Sequence, residues 1–470
     1  MKDSLSLLSK NPLTMIYKYW QYHYLFLVIG LIFGLMLVFS NPPWHTNDED
    51  RHFYNAYALS QGNIGPQVKD GKMGHPMPAN LIKAVQIHQG LAFNQGQLIS
   101  KAKLKELESQ PLDINKTEFC ENVNAVQLPF PYIPSSIMIK IGMLFNDNPI
   151  WIGWWGRIGA LLSYLIIIFW AIKIIPYFKP LLTLIALSPM ALYQGASVTY
   201  DTLNLAFLFL LFALVIKFYY QKTVITFKQI LLFCLIAFLH RCSKDGYFIL
   251  YFSIFAISYQ KFENKKLYLL TFVFLLLANF LPSYLWNQYL SYFTLPSATL
   301  QRDFIFNSNL NLTFHTQHPF YTFWIAIENV FYQGKVWLSG CVGRFGYSYT
   351  LLPDWLIFLQ LLACVFVVIN EKPDIPLSNR FKYILLGFGI LNILAIIFGF
   401  LIMASPVGAN LIYGLQGRYF IPMLPYLFLG LFYVPIFKGK ELFMSWSIPI
   451  YSILVLTYTV YFIHSEFYIP

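Results

Sequence analysis

The chain is a succession of apolar stretches of bilayer-crossing length, and that pattern rules out an ordinary soluble core. A crossing needs about 20 mostly apolar residues. Eleven such stretches are read here: roughly 20–40, 151–173, 178–196, 200–220, 226–241, 246–260, 266–286, 350–370, 382–403, 419–437 and 444–464. A backbone inside a bilayer must satisfy its own polar groups, so the pattern predicts an all-α polytopic membrane protein. Only 11% of residues are charged, against about one quarter in soluble domains. The chain reads as a single integral-membrane domain over 1–470, with no repeats, heptads or low-complexity tracts. The stretch 130–146 is apolar but broken by Pro131 and Pro134, and reads as an interfacial helix.

Charge sets the expected orientation. With the N-terminus inside, the inner segments are 1–19, 173–179, 217–228, 261–266, 371–382 and 438–441. They hold 16 of the 32 Lys and Arg residues but only 5 of the 21 acids, so the outer segments balance to zero. Short basic loops stay in the cytoplasm. The net charge of +11 therefore belongs to topology, and nucleic acid is not an expected partner. The expected location is a cytoplasmic (inner) membrane, with the N-terminus on the cytoplasmic side and membrane lipids as neighbours. The first apolar stretch lacks a small-residue cleavage site and reads as an uncleaved first helix.

Two outer loops are long, 41–150 and 287–349, and long loops between spans are generally functional. Amphipathic stretches such as Ser100 to Leu107 and apolar aromatic pieces such as Phe320 to Phe331 predict juxtamembrane helices lying on the bilayer. Three of the five cysteines, Cys120, Cys242 and Cys341, fall in outer segments and Cys234 and Cys364 in apolar helices, which leaves a disulfide open as one reading. No G-x-x-x-x-G-K-[ST] or G-x-G-x-x-G occurs, so nothing suggests a bound nucleotide.

The unusual polar residues collect on the outer side. Asp48-Glu49-Asp50 follows the first span within Pro42-Pro43-Trp44-His45-Thr46-Asn47-Asp48-Glu49-Asp50-Arg51-His52. Carboxylates are costly at a membrane face, so three together point to a wet site with chemistry to perform. An outer face lacks nucleotide sugars, so glycosyl transfer there needs a sugar already activated on a lipid. Such transfer needs a base for the acceptor hydroxyl, and a second acid can support it. Asp48 and Glu49 supply that pair, with a solvated helix cap as the plainer reading. Glu49 and His52 also have E-x-x-H spacing, which leaves a divalent metal open as one reading. His45, His75 and His88 read as surface residues. Arg241 and Lys244 flank an outer turn, Arg344 lies between two glycines, and Arg418 opens an apolar span in Gln416-Gly417-Arg418-Tyr419. Such cations can neutralise a departing phosphate, or merely reach lipid headgroups. Arg157, after Trp151, Trp154 and Trp155, is a further cation of this outer set, with an anchor in an aromatic belt as the plainer reading. Ser197 and Asp201 lie in another outer turn, where Asp201 can cap a helix or bind an arginine across the site.

These residues resemble the bacterial membrane-protein family of domain of unknown function 2142. One motif is Pro-x-x-x-x-Asp-Glu-x-x-His, here Pro43, Asp48, Glu49 and His52. A second is Ser-x-x-x-Asp after a proline-broken span, here Ser197 and Asp201 following Ser188-Pro189-Met190. The third and most specific is Gln-Gly-Arg-Tyr-Phe-x-Pro, Gln416 to Pro422, while Lys244 to Tyr247 fits a looser Lys-x-x-Tyr. The family usually shows Pro-Asp-Glu, whereas here Asn47 precedes the acids and Asp50 adds a third. The resemblance implies a GT-C-like glycosyltransferase with a polyprenyl-phosphate sugar as donor, a cell-envelope glycan or glycolipid such as O antigen as acceptor, and inversion at the sugar. It implies Asp48 as base supported by Glu49, and a donor phosphate held by Arg418, Arg241, Lys244 and Arg344. His52, Gln416, Tyr419, Ser197 and Asp201 are then supporting residues. It implies no cofactor and no metal. Two other classes compete: a lipid-linked sugar carrier, and a glycan ligase or polymerase using a polyprenyl-diphosphate donor. Carriers tend to place polar groups at mid-membrane on broken helices with internal repeats, which this chain does not suggest.

Overall fold

The computed structural model describes residues 21–92, 105–106, 110–293, 307–347, 350–371, 373–432 and 441–468. In chain order the helices are α1 (Tyr22–Ser40), α2 (Glu49–Ser60), α3 (Ala79–Ala92), α4 (Ile133–Gly142), α5 (Pro149–Ile174), α6 (Lys179–Ala186), α7 (Pro189–Gly195) and α8 (Asp201–Tyr220). They continue with α9 (Phe227–Ser243), α10 (Lys265–Leu290), α11 (Ser308–Gln317), α12 (Pro319–Val342), α13 (Asp354–Asn370), α14 (Asn379–Met403), α15 (Leu424–Phe432) and α16 (Glu441–Phe467). Among the described residues, six are long and apolar enough to cross a membrane: α1, α5, α8, α10, α14 and α16 over Ser445–Phe467. In its most apolar window α8 is 83% buried, whereas α10 is 28% buried. The first is therefore the hub of the bundle, packed along α5 and α9, and the second lies at its rim.

The other five expected spans take shorter forms. Residues 178–196 divide into α6 and α7 because Pro189 starts a new helix after an extended Ser188. Residues 226–241 become the 17-residue α9, opened by a capping box from Thr226 and Gln229. Residues 246–260 form a 3-10 helix, Phe248–Ala256, and residues 417–423 form another before α15. Pro422 inside that second stretch cannot complete an α-helical ladder. Residues 350–351 form a strand, so the expected span at 350–370 begins only at Asp354 as the shorter apolar helix α13.

The architecture is mostly helical, as expected, and the first long loop adds a few short strands to it. That loop contains a three-stranded antiparallel sheet, β1 (Gln67–Lys69), β2 (Lys72–Pro78) and β3 (Thr117–Glu121), in the order β1-β2-β3. Asp70 and Gly71 both have positive φ and make the two-residue turn that pairs Lys69 with Lys72. Gly74 is required where β2 meets β3, since a Cβ there would lie 1.9 Å from the Cys120 carbonyl oxygen. Trp44, Phe53, Tyr57, Met77, Leu81 and Tyr132 are among the residues of a separate small core that joins this sheet to α2 and α3. The apolar stretch 130–146 forms a 3-10 turn, Phe130–Tyr132, followed by α4, which packs on α5. The amphipathic stretch 100–107 lies outside the described residues apart from helical 105–106. In the second long loop α11 and α12 are present, and α12 leaves Phe320 and Phe331 exposed.

Loops gather at two ends of the bundle. At one, Tyr177 bonds Asp374 at 2.8 Å, Phe178 N–H bonds Glu371, Ser378 N–H bonds the Tyr219 hydroxyl at 3.0 Å, and Lys261 bonds the Gln221 carbonyl at 2.7 Å. These are loops expected on one side from charge. The turns around residues 46, 197, 244, 346 and 418 meet at the other.

Candidate functional site

At that second end, one guanidinium organises the acidic turn. Arg157, 1% exposed on α5, donates Nε–H to Glu49 Oε1 at 2.8 Å and Nη2–H to Glu49 Oε2 at 2.6 Å. Its remaining N–H groups reach the carbonyls of Val38 at 3.0 Å, Asn41 at 2.6 Å and Pro42 at 2.8 Å. All five donors of the fork are thereby used. Val38 belongs to the last turn of α1, whose carbonyls have no partner within the helix, and Asn41 caps that turn. Glu49 also accepts from the backbone N–H of Thr46 at 3.2 Å and of Val198 at 3.0 Å. It is fully buried with no lone pair turned to a solvent path, so it differs chemically from its neighbour Asp48.

Asp48 precedes α2 in the left-handed region, at φ 58° and ψ 11°. Aspartate tolerates that conformation better than most residues, and such positions cluster at working sites. Its carboxylate is 42% exposed and stands 4.0 Å from Arg51, a weak surface pairing. Its charge also acts on His52, Lys244 and Arg418. The preceding Asn47 donates to Gln416 Oε1 at 3.0 Å, tying this turn to the Gln-Gly-Arg-Tyr motif. Asp50 is buried, burial raises its pKa, and the Tyr347 hydroxyl lies 3.5 Å from its Oδ1.

Beside this turn, Asp201 opens α8 and receives two cations. Lys244 donates to Oδ1, and Arg418 Nε stands 3.3 Å from Oδ2. The Lys244 ammonium lies over the rings of Tyr200 at 4.4 Å and Tyr419 at 4.0 Å, and the Arg418 guanidinium is 5.3 Å from the Tyr419 ring. Aromatic faces stabilise cations in such dry surroundings. Burial, opposed by Asp201, lowers the Lys244 pKa to about 8. Gly417 makes the Arg418 segment possible. A Cβ there would lie 1.9 Å from the Trp337 carbonyl oxygen of α12.

Lys244 also faces a cavity of about 760 Å³, lined among others by Arg241, Tyr200, Ser283, Trp286 and Phe400. Its walls come from α9, α10, α14 and the 126–131 segment, so it lies between two candidate spans. Arg241 bonds Ser283 and pairs with Asp245 at the wall. A polar chain leads from the cavity to α2. Tyr132 donates to Gln127, a lining residue, and its oxygen is 2.7 Å from His52 Nδ1. His52 stacks edge-on against Tyr200 at 4.5 Å. Burial drives its pKa down to about 4, against the pull of Asp48 and Asp201, so its ring is neutral near pH 7.

The other expected site residues divide. Ser197 shares a 2.8 Å hydrogen bond with Thr46 and donates to the Tyr193 carbonyl, so it stitches two turns together. Arg344 sits half-buried on a ribbon of β4 (Arg344–Phe345) and β5 (Thr350–Leu351), at the same end of the bundle. Glu49 and His52 are each engaged by different partners, Arg157 and Tyr132, and do not present a joint pair for a metal. Among the described residues no group of three or more His, Cys, Asp or Glu side chains is placed to hold one. The surface reading of the histidines is wrong. His45, His75 and His88 are all buried, with pKa values lowered by burial to about 3, 4 and 4. All five cysteines are buried and free, so no disulfide forms.

Sequence reasoning missed Tyr132, Gln127 and Trp286, and it named Arg157 without its partner Glu49. For Arg157 a signal existed, since an arginine well inside an apolar span needs a partner. The adjacent tryptophans made it read as a belt residue.

No curated protein and no solved structure matches the chain. The family model described as predicted membrane protein (DUF2142) matches residues 31–427, so the chain belongs to that family of membrane proteins.

Proposed function

We propose that the protein is a GT-C-like glycosyltransferase that moves a sugar from a polyprenyl-phosphate donor to a cell-envelope glycan or glycolipid, on the extracytoplasmic face. The observation that carries this reading is the convergence of Lys244 and Arg418 on Asp201 beside a cavity that opens between two membrane-length helices, with Asp48 on the adjoining turn. A polyprenyl phosphate needs apolar walls for its chain and fixed cations for its headgroup, and the two are contiguous here.

In the proposed reaction Asp48 removes the proton from an acceptor hydroxyl. That oxygen forms a bond to the anomeric carbon from the face opposite the phosphate. The bond from the carbon to the phosphate oxygen breaks, and the electron pair leaves on the phosphate. Lys244 and Arg418 balance the added charge, and Arg241 stands further along the wall. Preorganised donors aimed at developing charge usually contribute most to such catalysis. Inversion follows from a single displacement. Asp48 suits the base role because it is half-exposed, whereas Glu49 is saturated by Arg157. The polar groups lie at one end of the bundle, which favours transfer over a carrier with a mid-membrane site.

The test uses membranes holding the protein and a pool of polyprenyl-phosphate sugars labelled in the sugar. Label should pass to a glycan, with release of polyprenyl phosphate, and Asp48→Asn should leave it on the lipid. Label carried across the membrane while still lipid-linked would replace this reading with transport.

A further inference from the structure

We infer that Arg157 is a positioning residue of the transfer site, holding the acidic turn so that Asp48 presents its carboxylate; this rests on the reading of Asp48 as base. Direct contact with substrate is excluded by geometry. The guanidinium is 1% exposed and all five of its N–H groups are committed, at 2.6–3.0 Å. Its acceptors come from the end of α1, from Pro42 in the turn, and from Glu49 at the start of α2. Through the other lone pairs of Glu49 it also gathers the backbone of Thr46 and of Val198 near Asp201.

Asp48 sits between two of these anchors. Asn47 before it is held by Gln416, and Glu49 after it is held by Arg157. Fixed flanks hold the left-handed Asp48 in place, because the conformation is still mildly disfavoured by itself. Arg157 and Gln416 together thus set the angle between the proposed base and the Arg418 segment. A planar five-donor fork is required for this arrangement, and a lysine supplies three donors from one point.

The test pairs turnover with a readout independent of activity. Arg157→Lys keeps the charge and loses the fork. Misplacement by about 1 Å can cost about a hundredfold in rate, so kcat should fall by about ten- to hundredfold. Affinity for polyprenyl phosphate should stay within about twofold, since Lys244 and Arg418 are separate from the knot. In a second protein, Asp48→Cys, the five native cysteines are buried, so a soluble maleimide reads the new thiol at position 48. Adding Arg157→Lys should change its alkylation rate by about threefold or more, as expected when a fixed turn gains freedom. An unchanged alkylation rate overturns the positioning role, as does a fall in kcat matched by equal losses of phosphate affinity and folded protein. Full turnover by Asp48→Asn would instead remove Asp48 as base, and the alkylation result would still judge what Arg157 holds.

Discussion

Arg418 and Asp201, 217 residues apart in sequence, face each other with Nε 3.3 Å from Oδ2, and Lys244 completes the group from the other oxygen. One carboxylate thus holds two buried cations beside the cavity. Removing its charge should weaken anion binding instead of freeing the cations. Asp201 opposes the burial that depresses Lys244, so Asp201→Asn should push the Lys244 pKa below about 8. Less of the lysine is then charged at pH 7.5. Polyprenyl-phosphate affinity should drop at that pH and partly recover at pH 6. Tighter binding by Asp201→Asn at both values would show that the carboxylate competes with the ligand.

The same lysine gives the wild type a pH signature. It is charged below about pH 8 and neutral above, so phosphate affinity should hold at pH 6–7 and decline through pH 8–9. Lys244→Arg should flatten the alkaline limb, because arginine does not lose its proton there. Titrations of both proteins against polyprenyl phosphate measure this, and superimposable alkaline limbs would remove Lys244 from the phosphate site.

Asp48 and Glu49 should separate in their failures. Asp48→Asn should lower turnover by at least about a hundredfold while the protein keeps its melting temperature. Glu49→Gln should act mainly on stability, since breaking a buried ion pair costs about 3–5 kcal/mol. Thermal unfolding in detergent distinguishes them. An inactive Glu49→Gln of unchanged stability would transfer the base role to Glu49.

How far the sequence foretold this arrangement depends on the kind of signal. Asp201, Lys244 and Arg418 stood out as charges at the edges of apolar runs, and their meeting was legible as a proposal. The Arg157–Glu49 knot was not, because its members lie 108 positions apart and each had a plausible local role. The sheet in the first loop carried a local signal, the Asp70-Gly71 hairpin dipeptide, which an all-helical reading passed over. Phe248–Ala256 carried no such signal. Its composition matches a membrane span, and its 3-10 form lies between α8, α9 and α14, whose packing local pattern does not report.

Acid should destabilise the fold through its buried histidines. His52, His75 and His88 have folded pKa values near 4, below the ordinary 6.5, because burial disfavours their charged form. The unfolded chain therefore binds protons first. Stability is complete above about pH 6.5 and is lost as pH falls toward 4. Melting temperatures should fall across that window, and His75→Asn should reduce the slope. A flat profile between pH 6.5 and 4.5 would contradict the neutral, buried assignment.

Orientation can be read from cysteines placed at the two ends. Asp70→Cys should react with an impermeant thiol reagent in intact cells, and Lys222→Cys should react only after lysis. The reverse pattern would put the acidic turn on the nucleotide side and remove the need for a lipid-borne donor.

The central claim is that Lys244 and Arg418 receive the phosphate of a membrane lipid. Its most direct test is equilibrium binding of polyprenyl monophosphate, without sugar, to the protein in nanodiscs. Binding should be saturable and absent for the uncharged polyprenol. Arg418→Ala and Lys244→Ala should each weaken it by about 1.5–3 kcal/mol, roughly ten- to hundredfold. Arg418→Lys should recover only part, because the bidentate geometry is lost. If both alanine variants bind polyprenyl phosphate as tightly as the wild type, the two cations serve only Asp201 and the proposed donor site is wrong.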